Sequence, residues 1–359
     1  MPFLGSLTGS PVLDERKGQF RDGAHLVSRS ARVHFWRAVS ILLILLGLAA
    51  AVALWVGYRR LDPMTLRQDP MMRHLFLRLR LPRVVLAGIV GASLGSVGAA
   101  LQALFRNPLA DPFTLGVSGG GTLGASIAIA LGWGASLSGV PLVFLASFVG
   151  AATAVVLVYQ ISRAGTLVFP GTILLAGVVM NLIAGAGVVL IQYLADYTRA
   201  LQILRWTIGS LDVVGFGLIW RMLICLVPGW LVLLLSVSDL HLLAMGEETA
   251  TSLGVNVRQC ERLIYGAASL MVGVTVAVGG TIAFVGLIVP HAVRLLFGQD
   301  VRIVLPCSFL LGAAFLMLAD ALARTVLGSA ELPVGAVTAL VGGIAFLGLL
   351  RRQRRYSAI

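Results

Sequence analysis

DLHLLAMGEETATSLGVNVRQCER, residues 239–262, is a polar island in a chain that is otherwise almost wholly apolar. Glu247 to Leu253 supplies about two helical turns, and Gly254 stands where a left-handed C-terminal cap is wanted. Asn256 reads as an N-cap, with Gln259 three residues on to complete a capping box. The pattern predicts a short helix, a glycine break and a second short helix, all outside a bilayer. Leu240, Leu242, Leu243 and Met245 before it, with Leu253 and Val255 inside it, give the island apolar residues that a solvated loop does not need. Two readings fit the island alone: an ordinary connecting loop, or a docking surface for another protein.

The island stands out because of what surrounds it. Hydrophobic residues make up 58% of the 359 positions and charged residues 12%, about half the charge of a soluble domain. Mean hydropathy is +0.96. Apolar stretches of ~20 residues recur throughout, the signature of a polytopic, all-α membrane protein. The 42 glycines suit that class, since small residues let membrane helices approach closely. Cys225, Cys260 and Cys307 are scattered without metal-ligand spacing and read as isolated thiols.

Ten spans are expected: 38–57, 84–104, 114–133, 140–160, 173–194, 217–236, 263–279, 284–297, 303–323 and 333–350. The eighth is short and carries Pro290. Residues 1–37 form a basic arm, expected to be poorly ordered at first and helical near the bilayer. Residues 38–359 are expected to form a single transmembrane domain that includes the 239–262 loop. The first span lies too far from the N-terminus for a signal-peptide core and is read as an uncleaved anchor. An even span count, the basic arm, and the run Arg351, Arg352, Arg354, Arg355 place both termini in the cytoplasm, together with the 239–262 island.

The net charge of +12 is carried almost wholly by arginine, for Lys17 is the one lysine. It sits in ERKGQ, without the glycines of a P-loop, so no Walker-type ATP hydrolysis is expected of this chain. The arginines cluster at span ends, where topology puts them, and no nucleic-acid partner is expected. One loop breaks the positive-inside rule. Between the first two spans lie Arg59, Arg60, Arg67, Arg73, Arg78, Arg80 and Arg83, against only Asp62 and Asp69. The topology puts these arginines outside, where they suit an acidic partner, because the guanidinium fork holds a carboxylate with two hydrogen bonds. Arg324 and Glu331 would reach the same side.

The small faces Gly88, Gly91, Gly95, Gly98 and Gly116, Gly120, Gly124 are read as close helix packing. Gly119, Gly121 and Gly124 formally match GxGxxG, but no strand precedes them and no acid follows about 20 residues later, which excludes a dinucleotide site. Residues 106–112, RNPLADP, are a turn-rich link. Residues 205–210 are expected to form a small external helix or turn. His291 has no second ligand at metal spacing and is read as a polar residue near a helix end.

No acid, base and nucleophile constellation lies at membrane depth, which argues against an enzyme. Ionisable residues are scarce there too, which weighs against an ion-coupled secondary carrier, the rival reading. What remains is a transport pathway powered from outside through a cytoplasmic docking surface.

Long motifs then resemble those of the permease subunits of ABC importers for iron-siderophore, haem and vitamin B12, the FecCD-type family. They are Arg80-Leu-Pro-Arg83, 105–112 (FRNPLADP), 115–119 (LGVSG), 243–247 (LAMGE) with 252–256 (SLGVN), 283–291 (AFVGLIVPH), Ala319-Asp320, Ala323-Arg324 and 331–335 (ELPVG). The resemblance implies a homodimer of ten-helix subunits around a central pathway and two ABC ATPase subunits beneath. It also implies a periplasmic or lipid-anchored substrate-binding protein and a bacterial or archaeal cytoplasmic membrane with its lipid. Gly246, Glu247, Ser252, Leu253, Gly254, Val255 and Asn256 would form the paired coupling helices seated in the ATPase. Arg80, Arg83 and Arg324 would dock the binding protein, and Phe169, Pro170, Gly171 and Thr172 fall where the family has a cytoplasmic gate. No resident cofactor or metal is implied, with ATP and Mg used by the ATPase. The substrate implied is an iron chelate, either a ferric siderophore or haem, with cobalamin as the alternative.

Overall fold

The computed structural model describes residues 11–57, 68–164, 167–168, 170–327 and 331–357, with side chains for 33–57, 68–162, 171–327, 331–348 and 351. Helix α1 runs from Pro11 to Trp55 without a break at residue 37, so from residue 11 the backbone of the basic arm continues the first span. Helix α2 (Pro70–Leu75), a π-helical turn (Phe76–Arg80) and α3 (Leu81–Leu104) follow one another directly. The second span therefore begins 14 residues before the expected Val84. Asp69 starts it, accepting from the amides of Met71 at 2.8 Å and Met72 at 3.4 Å, with Pro70 at the first helical position. Arg73, His74, Arg78 and Arg80 hid this extension from a reading based on hydropathy.

The expected third span is a 3₁₀ turn (Pro112–Leu115) and then α4 (Val117–Ala130), hinged at Gly116, whose φ is +81°. Next come α5 (Leu142–Ile161), α6 (Pro170–Leu194), α7 (Tyr197–Ile208) and α8 (Gly217–Leu235). The polar island follows as α9 (Val237–Met245), α10 (Glu247–Ser252) and the start of α11 (Val257–Gly279). Helices α12 (Val285–Phe297), α13 (Val301–Ala323) and α14 (Val334–Ser357) complete the bundle. Two hairpins, β1–β2 at Ser136–Leu137 and Val140–Pro141, and β3–β4 at Arg163–Ala164 and Leu167–Val168, close turns between helices. Seven of these helical stretches are long and apolar enough to cross a membrane, and Val117–Ala130, Val285–Phe297 and Val334–Gly348 are shorter apolar helices. Each corresponds to one of the ten expected spans. Residues 205–208 lie in the last turn of α7, a 12-residue amphipathic helix that begins before the small helix or turn expected at 205–210.

The core lies around α3, most of whose residues are buried. Its small face meets α13 so closely that a Cβ on Gly91 would strike the carbonyl of Gly312, and one on Gly312 would strike that of Gly91. Gly120 of α4 and Gly150 of α5 repeat the arrangement. The small faces are packing seams, as read from the sequence.

Candidate functional site

Helix α3 is 24 residues long, roughly 36 Å at 1.5 Å per residue, and each end carries a polar assembly. At its start, Arg83 Nε donates to Asp320 Oδ1 at 2.9 Å, and Arg83 Nη1 lies 2.6 Å from Glu331 Oε2 and 3.4 Å from Asp212 Oδ1. Arg324 Nε donates to the second oxygen of Asp320 at 2.9 Å, and its Nη2 to the carbonyl of Ala53 at 2.9 Å. Arg80 Nη1 donates to the carbonyl of Leu54 at 3.1 Å. Gly57 makes room for the group, because a Cβ there would run into the Arg80 guanidinium. The result is a cavity of about 470 Å³ with Met72, Leu75, Phe76 and Leu79 on its apolar wall and the arginines at its polar end.

Arg80, Arg83 and Arg324, chosen from the sequence, are therefore brought together, but their environments differ. The Asp320 side chain is 0% exposed and that of Arg324 only 6%, so this pair is an internal clamp. Arg83, at 13%, bridges the clamp to the exposed Glu331 and Asp212. In this conformation Asp320 and the Ala53 carbonyl hold the Arg324 guanidinium inside. Asp320 stands in the sequence within the Ala319-Asp320 motif, whereas Asp212 belongs to none of the motifs. The four-residue spacing of Asp320 and Arg324 was a usable signal; Arg83 lies 237 residues from its acid and gave none. Arg59, Arg60 and Arg67 lie outside the described residues.

The far end of α3 leads into an elbow, residues 106–116. Arg106 has a φ of +50°, Asn107 Oδ1 accepts from the Leu109 amide at 2.9 Å, and Asp111 Oδ1 accepts from the Phe113 amide at 2.8 Å. Burial pushes the Asp111 carboxyl up to about 6, only partly offset by that amide. Behind the elbow, Gln102 Nε2 donates to the carbonyls of Ala110 and Gly286 at 3.2 Å each, and Arg294 donates to Gln102 Oε1.

Against the elbow lies the 239–262 island. Gly254 caps α10 in a Schellman arrangement: its φ is +88°, its amide donates to Thr251 at 3.0 Å, and the Val255 amide donates to Ala250 at 3.0 Å. Asn256 Oδ1 accepts from the Gln259 amide at 3.1 Å and so starts α11. The helix, glycine break and N-cap stand where the sequence put them. The second helix is not short, however, because Asn256 opens the 23-residue α11, which runs on as the seventh span. Residues 246–256 thus hold one short helix instead of a pair, and the helix that precedes it, α9, was not expected from the sequence. Leu240 and Leu243 are buried, and α9 packs on α13 and α3; this tertiary burial explains the helix. Met245 and Leu253 remain 60% and 62% exposed, a large outlay of apolar surface for a polar loop. Arg106 and residues 245–249, 251 and 252 line a groove of about 920 Å³.

Of the gate candidates, Phe169 lies outside the described residues. Pro170 opens α6, and Gly171 and Thr172 are exposed in its first turn. His291 is 6.5 Å, ring to ring, from Phe346. Among the described residues, no three His, Cys, Asp or Glu are grouped for a metal ion.

Apolar helices long enough to cross a membrane, packed on glycine seams, with a charged cluster at one end of α3 and a groove at the other, are the architecture of a multi-pass membrane protein. The FecCD transport family model matches residues 38–352, and the chain belongs to that family. It is 42% identical over 290 residues to the uncharacterised ABC transporter permease protein YvrB of Bacillus subtilis (strain 168), covering 80% of this chain and 81% of that one. It is 39% identical over 321 residues to the hemin transport system permease protein HmuU of Yersinia pestis, covering 88% and 94%. Among solved structures, it superposes on an inward-facing transporter described as of the metal-chelate ABC type, with a TM-score of 0.77 and 31% identity over 88% of this chain and 99% of that one.

Proposed function

We propose that this chain is the membrane-spanning subunit of an ATP-driven importer for an iron chelate, a ferric siderophore or haem, received from a substrate-binding protein. The observation that carries the reading is the exposed, structurally capped α9–α10 face on a family-matched permease. Such a face has no use in a carrier working alone. Two copies of an ABC ATPase bind there, with Leu253 and Met245 entering an apolar groove and Gly246, Glu247, Ser252, Gly254, Val255 and Asn256 shaping the contact. ATP and Mg belong to those ATPase subunits, and this chain holds no cofactor and performs no catalysis. A second copy of the chain completes the pathway. Both termini and the elbow end lie in the cytoplasm, and residues 38–359 act as one domain of the inner membrane.

At the opposite end, the binding protein presents acids to the cluster around Arg80 and Arg83, while Arg324 holds the cluster in shape through Asp320. The first turn of α6, Pro170 to Thr172 together with Phe169, gates the cytoplasmic mouth. A cobalamin substrate is the second reading, favoured by the likeness to the vitamin B12 import permease BtuC of Vibrio vulnificus, 37% identical over 323 residues.

Leu253→Asp tests the docking face. Leu253 is exposed, so the fold should tolerate the change, while the ATPase should dissociate or lose coupling. Full co-purification with normal stimulated ATP hydrolysis would refute the assignment. Arg80→Gln with Arg83→Gln should weaken capture of the binding protein by the assembled complex. Unchanged capture in a pull-down removes that role.

A further inference from the structure

Asn181 sits on α6, eleven residues from Pro170 and so roughly 16 Å along the helix from the gate. Its side-chain amide grips both sides of the Gly116 hinge. Nδ2 donates to the carbonyl of Phe113 at 2.8 Å, while Oδ1 accepts from the Gly119 amide at 2.9 Å and from the Ser118 hydroxyl at 3.3 Å. One side chain thus ties the 3₁₀ turn to the first turn of α4 and both of them to α6. One turn earlier on α6, a Cβ on Gly177 would run into the carbonyl of Thr114, so the two backbones touch there.

The elbow is held just as firmly on its other side. Gln102 binds the Ala110 carbonyl and the start of α12, and the ring of Pro112 lies over Gly286. Its tip, Arg106, shares the groove with α10. The groove that Arg106 shares with α10 sets the elbow beside that face, and from the elbow onward hydrogen bonds lead to α6. At the α6 step, the polar link is Asn181. A helix needs no such residue for its own stability, and a polar side chain at membrane depth that ties two elements together marks either plain helix association or a functional joint.

We propose that Asn181 is a positioning residue: a clasp through which the elbow and α6 move as one body, so that engagement of the α10 face shifts the α6 gate. This rests on the importer reading above. In proteoliposomes holding the permease with its ATPase and binding protein, Asn181→Ala should leave ATP hydrolysis close to wild type. Substrate moved per ATP should fall about two- to thirty-fold, the range that modulated coupling spans. Hydrogen exchange over residues 172–185 should also lose its response to nucleotide. Asn181→Leu, which keeps a side chain of similar size without either hydrogen bond, should reproduce the effect, and it decides the matter where Asn181→Ala does not assemble.

A ratio of transport to hydrolysis equal to wild type, with the exchange response intact, overturns the clasp alone. So does a parallel fall of transport and hydrolysis, which is what mere loss of helix packing would give. Absence of ATP-driven transport in the wild-type complex overturns the importer reading and the clasp with it.

Discussion

Asp320→Asn is the most informative single change at the arginine end. The carboxylate is wholly buried and receives Nε–H donors from Arg83 and Arg324 at 2.9 Å each. Arg83 retains Glu331 at 2.6 Å after the substitution, whereas Arg324 is left with the Ala53 carbonyl and no acid. The cost is thus that of one buried, uncompensated guanidinium, about 3 kcal/mol. For a chain of this size that lowers Tm by roughly 5 °C, measurable by thermal unfolding of the purified permease in detergent. Asp320→Leu combined with Arg324→Met removes both charges and keeps apolar volume, and it should recover at least half of the loss. A loss below about 0.5 kcal/mol in Asp320→Asn, the scale of a surface pair, would refute the clamp. Strict additivity of the single variants Asp320→Leu and Arg324→Met in the double variant would refute it equally.

Two further outcomes follow from the packing and the elbow. Gly91→Ala should destabilise the bundle by about 1–3 kcal/mol, because its methyl meets the backbone of Gly312 and the Leu316 Cβ at 2.8 Å; Gly185→Ala on α6, with nothing within 4 Å, should be neutral or better in the same unfolding assay. Asp111 has a folded pKa raised from 3.8 to about 6, so the fold holds its proton more tightly than the unfolded chain does. Stability should therefore fall as pH rises from about 4 to about 6. Asp111→Asn keeps a cap acceptor and should flatten that part of the Tm–pH curve; an unchanged slope would show that Asp111 is not its source.

The spans were legible because their signal is local: twenty apolar residues need no partner to be recognised. The Gly254 cap and the Asn256 N-cap were legible for the same reason, since a cap is written within four residues. What escaped depended on distance or on mixed polarity. Helix α9 hides in the island because its apolar face is buried against α3 and α13, which lie far from it in the sequence. The α2–π–α3 extension carries four basic residues and defeats a hydropathy window, although Asp69-Pro70 is a helix start in plain view. The clamp needed Arg83 and Asp320 to meet across 237 positions, and the twofold grip of Asn181 exists only once α6 lies against the elbow.

The central claim is that this permease takes its driving force from an ATPase bound at the α9–α10 face. The direct measurement is uptake of haem or a ferric siderophore into proteoliposomes, with and without the ATPase subunit, in the presence of the binding protein. Uptake that requires both the ATPase and ATP, and that is abolished by Leu253→Asp, is the predicted result. Uptake by the permease alone, driven by an ion gradient, would contradict it.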